Sequence, residues 1–186
     1  MRGSLIGLTF VLATGLVQAK ECRGISFPDT AAVEGTTLTL NGLGVRLATM
    51  LKVKVYVAAL YVTKTSSDPG TILESTEPSE LTLHFLRDVG AGDMTKAWDE
   101  GFEQNAAQLS ALKPRLATLK GWMTDMKSGQ RMSFTFVPGV GVKVDVNGAV
   151  KGTIKGDDFA KAFLSVWLGK PPNPEIKSGL LGGNCG

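Results

Sequence analysis

The chain has 186 residues, 20 basic against 17 acidic, and carries a formal charge of +3. The basic residues are scattered and form no run able to track phosphates, so nucleic-acid binding is excluded as a leading class. One histidine and two cysteines cannot build a His-rich or Cys-rich metal site.

The N-terminus sets the compartment. Met1 and Arg2 are a short basic region, Leu5 to Val17 is apolar and uncharged, and Val17-Gln18-Ala19 places small residues at cleavage positions. This pattern predicts a secretory signal peptide over residues 1–19, cleaved after Ala19, and a periplasmic or secreted mature domain over residues 20–186. The apolar run is shorter than the ~20 residues that span a bilayer, and no second run follows, so no transmembrane segment is expected in the mature chain. Cys22 lies just past the cut, but Val-Gln-Ala-Lys-Glu does not resemble a lipoprotein cleavage box. In an oxidising compartment Cys22 and Cys185 read as a disulfide, against the alternative of two free thiols on frayed ends.

Strands are predicted at Thr36–Leu40, Lys52–Thr63 and Leu81–Arg87, where β-branched and aromatic residues concentrate. Gly42 and Gly44 between the first two read as a turn, as does Asp68-Pro69-Gly70. On the third strand Leu81, Leu83, Phe85 and Arg87 share one face, and Thr82, His84 and Leu86 the other. His84 reads as a sheet residue, because no G-x-S-x-G elbow presents a nucleophile to it and no phosphate-binding or dinucleotide fingerprint appears. A helix is predicted from Asp93, as N-cap, to about Leu109, with Met94, Ala97, Trp98, Gly101, Phe102, Asn105 and Leu109 on its inner stripe. A second helix runs from Pro114 to about Lys127 and buries Leu116, Leu119, Met123 and Met126.

The hydrophobic period then changes to two. Arg131–Val137 and Val140–Val146 alternate, and Asn147-Gly148 is a type I′ hairpin signal leading into Ala149–Lys155. Asp157 is read as the cap of a last helix through Leu168, with Phe159, Phe163 and Trp167 on one stripe. The prolines at 171, 172 and 174 end regular structure. With no internal repeat and no linker, the chain reads as one α+β domain, an antiparallel sheet packed against helices.

Two residues stand out for chemistry. Arg46 lies in the glycine-flanked segment GLGVR, ten residues before Tyr56 in the apolar run KVYVAALYV. A guanidinium cannot shed its charge, so near an apolar wall it needs an anionic or strongly accepting partner. It is either a structural arginine that snorkels or pairs with a neighbouring carboxylate, or a ligand contact.

GLGVR followed by KVYVAALYV, together with the closing segment WLGKPPNPEIKSGLLG, resembles the chalcone-isomerase fold family from about Phe27 to Leu181. The resemblance implies an open-faced β-sandwich. In the plant isomerases the arginine of the G-V-R motif binds the ligand's oxygen and a threonine follows on the next strand; in the fatty-acid-binding relatives a tyrosine follows, and the pair holds a carboxylate. Arg46 and Tyr56 match the second pattern. The isomerases' Tyr, Lys and Asn on the first long helix fall on Trp98, Gly101 and Asn105, and a pocket threonine of the last helix falls on Val166. Only the asparagine is thereby kept, the phenol, ammonium and threonine hydroxyl being replaced by Trp98, Gly101 and Val166, while ring closure of a chalcone needs the developing enolate charge stabilised. The implied function is cofactor-free binding of a small lipophilic carboxylate, a fatty acid, by Arg46 and Tyr56, with Trp98 and Asn105 lining the pocket and Arg87 as a weaker second cation. The alternatives are an isomerase (intramolecular lyase) using Arg46 as electrophile, and a partner-binding or assembly protein with a vestigial pocket.

Overall fold

In the computed structural model residues 18–185 are described. The leader expected over residues 1–19 therefore lies, except for its last two residues, outside the described residues. The described residues form nine strands and five helices, in order β1 (Ala19–Cys22), β2 (Ile25–Pro28), β3 (Thr30–Val33), β4 (Thr36–Ala48), β5 (Val53–Val62), α1 (Pro69–Leu73), β6 (Ser79–Phe85), α2 (Ala91–Asn105), α3 (Leu109–Gly121), β7 (Arg131–Val137), β8 (Gly141–Val146), β9 (Ala149–Lys155), α4 (Asp157–Leu168) and α5 (Pro174–Leu180). Strands β3 to β9 form one antiparallel sheet in sequential order, and β1–β2 is a separate hairpin. No helix among the described residues is long and apolar enough to cross a membrane.

Alternation along the strands divides the sheet's two faces. Ala58, Leu60 and Val62 of β5, Leu81, Leu83 and Phe85 of β6, and Met132, Phe134 and Phe136 of β7 pack against the helices in the main core. Val57, Ala59 and Tyr61 point to the opposite face, where a smaller cluster with Leu38, Leu40, Leu43 and Val45 is covered by Cys22 and Phe27 of the β1–β2 hairpin. Cys22 and Cys185 are joined, with Cα atoms 5.9 Å apart, which ties this hairpin to the end of the chain. The sheet with helices on one face is the α+β, open-faced arrangement expected.

Several elements differ from expectation. Gly42 and Gly44 make no turn; they lie inside the thirteen-residue β4. A Cβ on Gly42 would stand 2.1 Å from the Gly179 carbonyl oxygen, and one on Gly44 2.3 Å from that of Ile176. The two glycines thus let α5 lie directly on the strand. Asp68-Pro69-Gly70 opens the short helix α1, with Asp68 as its N-cap accepting from the Thr71 N–H at 2.7 Å. The N-cap of α2 is Gly90, not Asp93, and the Ala91 N–H is taken by the carboxylate of Asp125, at 2.9 Å. Helix α3 starts at Leu109 with Pro114 inside it and stops at Gly121. Met123 and Met126 are nevertheless buried, in a segment joined to Val89 by a β-bridge. Asp157 lies in the first turn of α4 behind a Gly156 N-cap, and its carboxylate accepts from the Gly139 N–H. Regular structure continues past the prolines as α5, with Pro174 in its first turn.

Candidate functional site

Arg46 and Tyr56 are cross-strand partners on β4 and β5, on the sheet face toward the helices. The register shifts between Arg46 and Leu47, so the arginine stands at a bulge. Bulges re-aim a side chain and recur beside functional sites. The bulge is held from outside the sheet by Asn173, a buried residue ahead of α5. The Asn173 Nδ2–H donates to the Val45 carbonyl at 3.1 Å, and its Oδ1 accepts from the Leu47 N–H at 3.0 Å. One side chain therefore satisfies the backbone on both sides of Arg46. Asn41 clamps the far end of α5 in the same manner, donating to the Leu180 carbonyl at 2.7 Å.

Arg46 is half-buried and donates from Nη1 to the Leu47 carbonyl. Among the described residues, no carboxylate lies within ion-pairing distance of it. The phenolic oxygen of Tyr56 accepts the Trp167 Nε1–H at 3.1 Å, and its ring meets Phe85 edge-on at 5.7 Å. Burial pushes the Tyr56 phenol above its ordinary value, against the opposing effects of the Trp167 bond and the Arg46 charge. The phenol is thus neutral at physiological pH and has a proton to donate beside a permanent cation.

Behind this pair lies an aromatic wall. Trp167 meets Trp98 at 5.5 Å and Phe163 at 5.3 Å, and Trp98 meets Phe163 at 4.9 Å and Phe134 at 5.7 Å. Trp98 is buried and donates its Nε1–H to the Met123 sulfur at 3.2 Å. Asn105 stands at the end of α2 and spends its amide on backbone: it donates to the carbonyls of Gly101 and Lys170 and accepts from the Lys170 N–H. The structure therefore links Trp98 through Trp167 to Tyr56, the cross-strand partner of Arg46, whereas Asn105 pins α2 to the segment after α4. Arg87 is exposed in the bend that follows β6. Gly101 and Val166 are in contact: a Cβ on Gly101 would come 2.8 Å from Val166 Cγ1. At these two positions α2 closes onto α4 with no polar group between them.

Two surface clefts lie elsewhere. One of about 540 Å³ is bordered by Thr63, Ser66, Thr71, Ile72, Ser75 and Ser79, and one of about 270 Å³ lies beside Gly42, Gly182 and Cys185; neither is lined by Arg46, Tyr56, Trp98 or Asn105. Sequence reasoning missed Asn173 and the bond from Trp167. An asparagine ahead of a proline, Asn173-Pro174, is a helix-start signal that would have found the first; nothing local marks the second.

A curled antiparallel sheet with helices on one face defines the class as a chalcone isomerase-type fold, with the arginine–tyrosine pair between sheet and helices. The family model described as chalcone isomerase-like matches residues 19–182, and the chain belongs to that family. A fatty-acid binding protein of Arabidopsis thaliana has a similar structure, with a TM-score of 0.65 at 14% identity, over 88% of this chain and 96% of that one. Comparison with curated proteins finds no match.

Proposed function

We propose that this protein binds a small lipophilic carboxylic acid, of the fatty-acid class, without catalysing a reaction on it. The observation that carries this reading is Arg46: a half-buried guanidinium, braced by Asn173 and facing Tyr56, with no carboxylate partner among the described residues. A carboxylate there would accept from the guanidinium and from the phenol, both charge-assisted bonds. The wall of Trp98, Phe163 and Trp167 would receive the apolar body, with these rings shifting to admit it. The Arabidopsis protein of similar fold is a fatty-acid binding protein, which supports the same ligand class here.

Catalysis is disfavoured by the contact between Gly101 and Val166, which leaves no donor at either position where the isomerases carry one. The close packing of Trp98, Phe163 and Trp167 favours a second reading, a partner-binding protein whose pocket is vestigial. Export from the cytoplasm, with residues 20–186 as the mature domain, fits a family match that begins at residue 19 and a disulfide that joins Cys22 near its start to Cys185 just beyond its end.

Native mass spectrometry of protein isolated from the cell envelope or medium tests these points together. A chain starting at Lys20, carrying an adduct of fatty-acid mass, is expected. A chain without adduct that also takes up no added acid would leave the vestigial reading.

A further inference from the structure

The β4–β5 hairpin ends in a four-residue turn, Thr49 to Lys52, closed by the Lys52 N–H on the Thr49 carbonyl at 3.1 Å. Thr49 and Lys52 hold φ angles of 62° and 51°, in the left-handed region. A β-branched threonine is strained there, and such strain gathers at working parts of proteins. The turn thrusts Met50 and Leu51 outward, 100% and 87% exposed, as an adjacent apolar pair at a convex tip. From Gly42 to Tyr56 the chain has three basic residues, Arg46, Lys52 and Lys54, and no acidic one. Glu175 on α5 braces the tip through Lys52, at 3.2 Å.

We infer that this tip inserts into the surface of an anionic lipid bilayer. A large apolar side chain gains when it enters the headgroup boundary, and flanking lysines gain from anionic headgroups. Two side chains on a convex tip offer far less than the ~800 Å² per partner of a stable protein interface, which makes a bilayer the better match. Arg46 lies two residues before the end of β4 and four before Met50, at most about 13 Å away at strand rise, so a docked tip places the arginine–tyrosine pair near the membrane surface. Bilayer docking goes beyond acid binding and does not require it.

The test is co-sedimentation of the purified protein with vesicles of phosphatidylcholine mixed with phosphatidylglycerol, and with phosphatidylcholine alone. The protein should bind the mixed vesicles more tightly than the neutral ones. Met50→Asp/Leu51→Asp should weaken that binding by roughly a hundredfold, the order expected for losing two buried apolar side chains. Lys54→Gln should cost roughly fivefold on the mixed vesicles only, and Lys52→Gln less, because Glu175 already pairs with Lys52. Val150→Asp, at an exposed apolar residue on β9, should leave binding unchanged. Circular dichroism checks that each variant is folded. Failure of the parent protein to bind, equal binding by Met50→Asp/Leu51→Asp, or equal loss in Val150→Asp would each overturn the inference. So would a parent dimer that the double variant turns into a monomer, because the tip would then belong to a second copy.

Discussion

The Trp167 indole N–H donates to the phenolic oxygen of Tyr56 across 3.1 Å, linking the last long helix to the strand that faces Arg46. The chain has only two tyrosines, so their ionisation is readable by ultraviolet pH titration. Burial raises Tyr56, and burial with the nearby Glu80 charge raises Tyr61 to about 12. At the ordinary phenol value near 10, folded protein should show less tyrosinate than denatured protein, in which both phenols are about half ionised. A folded pKa above the unfolded one stabilises fully below pH 10 and loses that contribution as pH rises through the folded value; stability should therefore fall between pH 10 and about 12. Trp167→Phe should move Tyr56 higher still, because it removes the donor that favours the phenolate.

Gly44 and Gly179 pack backbone to backbone: a Cβ on Gly44 would meet the Ile176 carbonyl at 2.3 Å and one on Gly179 the Leu43 carbonyl at 2.2 Å. Neither contact can yield by moving a flexible side chain. Gly44→Ala should cost about 1–3 kcal/mol, as overpacking does, measured by urea denaturation. It should also loosen the Asn173 clamp on Arg46, so acid binding should weaken beyond the loss in folded fraction.

The outer sheet face carries Glu80 and His84. Burial lifts the Glu80 carboxyl above its usual range, against hydrogen bonds from Thr82 and Thr135. Its stabilising contribution is full below pH 4.5 and lost as pH rises through the folded value, so Glu80→Gln should raise the urea midpoint at neutral pH and lose that advantage below 4.5. Burial lowers His84, helped by the adjacent Arg131 charge. Its contribution is present above pH 6.5 and lost as pH falls through the folded value, so His84→Gln should blunt the decline of stability below 6.5.

Cys22 and Cys185 close a loop across a sequence separation of 163. In the chain-entropy model this adds up to ~5 kcal/mol. Thiol titration of denatured, unreduced protein should find none, and reductant should lower the urea midpoint and free the β1–β2 hairpin from the small outer cluster.

Much of the sheet was legible because its signals are local. Arg131–Val137 and Ala149–Lys155 match their observed bounds, since alternation sets the face and Asn147-Gly148 sets the turn, with φ angles of 54° and 83°. Gly42 and Gly44 were misread because their reason is tertiary: they make room for a helix over 130 residues away, which no local rule sees. Pro114 suggested a helix start, yet the buried Leu112 draws the helix in before it. In the site, the Arg46–Tyr56 pairing could be read from spacing and resemblance. The Asn173 clamp and the Trp167 bond arise from contacts across 126 and 111 residues and could not.

The most direct measurement is the affinity of a fatty acid and of its methyl ester for the parent protein and for Arg46→Ala. Charge-assisted bonds to the guanidinium are each worth ~1.5–3 kcal/mol, and ~1.4 kcal/mol is tenfold in affinity. Arg46→Ala should weaken acid binding by about ten- to a hundredfold, and Tyr56→Phe should cost less because the ring's packing stays. The ester should bind the parent protein as weakly as the acid binds Arg46→Ala, and the two losses should not add, since both remove one contact. Unchanged acid affinity in a folded Arg46→Ala variant would contradict the proposed site and return the arginine to a structural role at the β4 bulge.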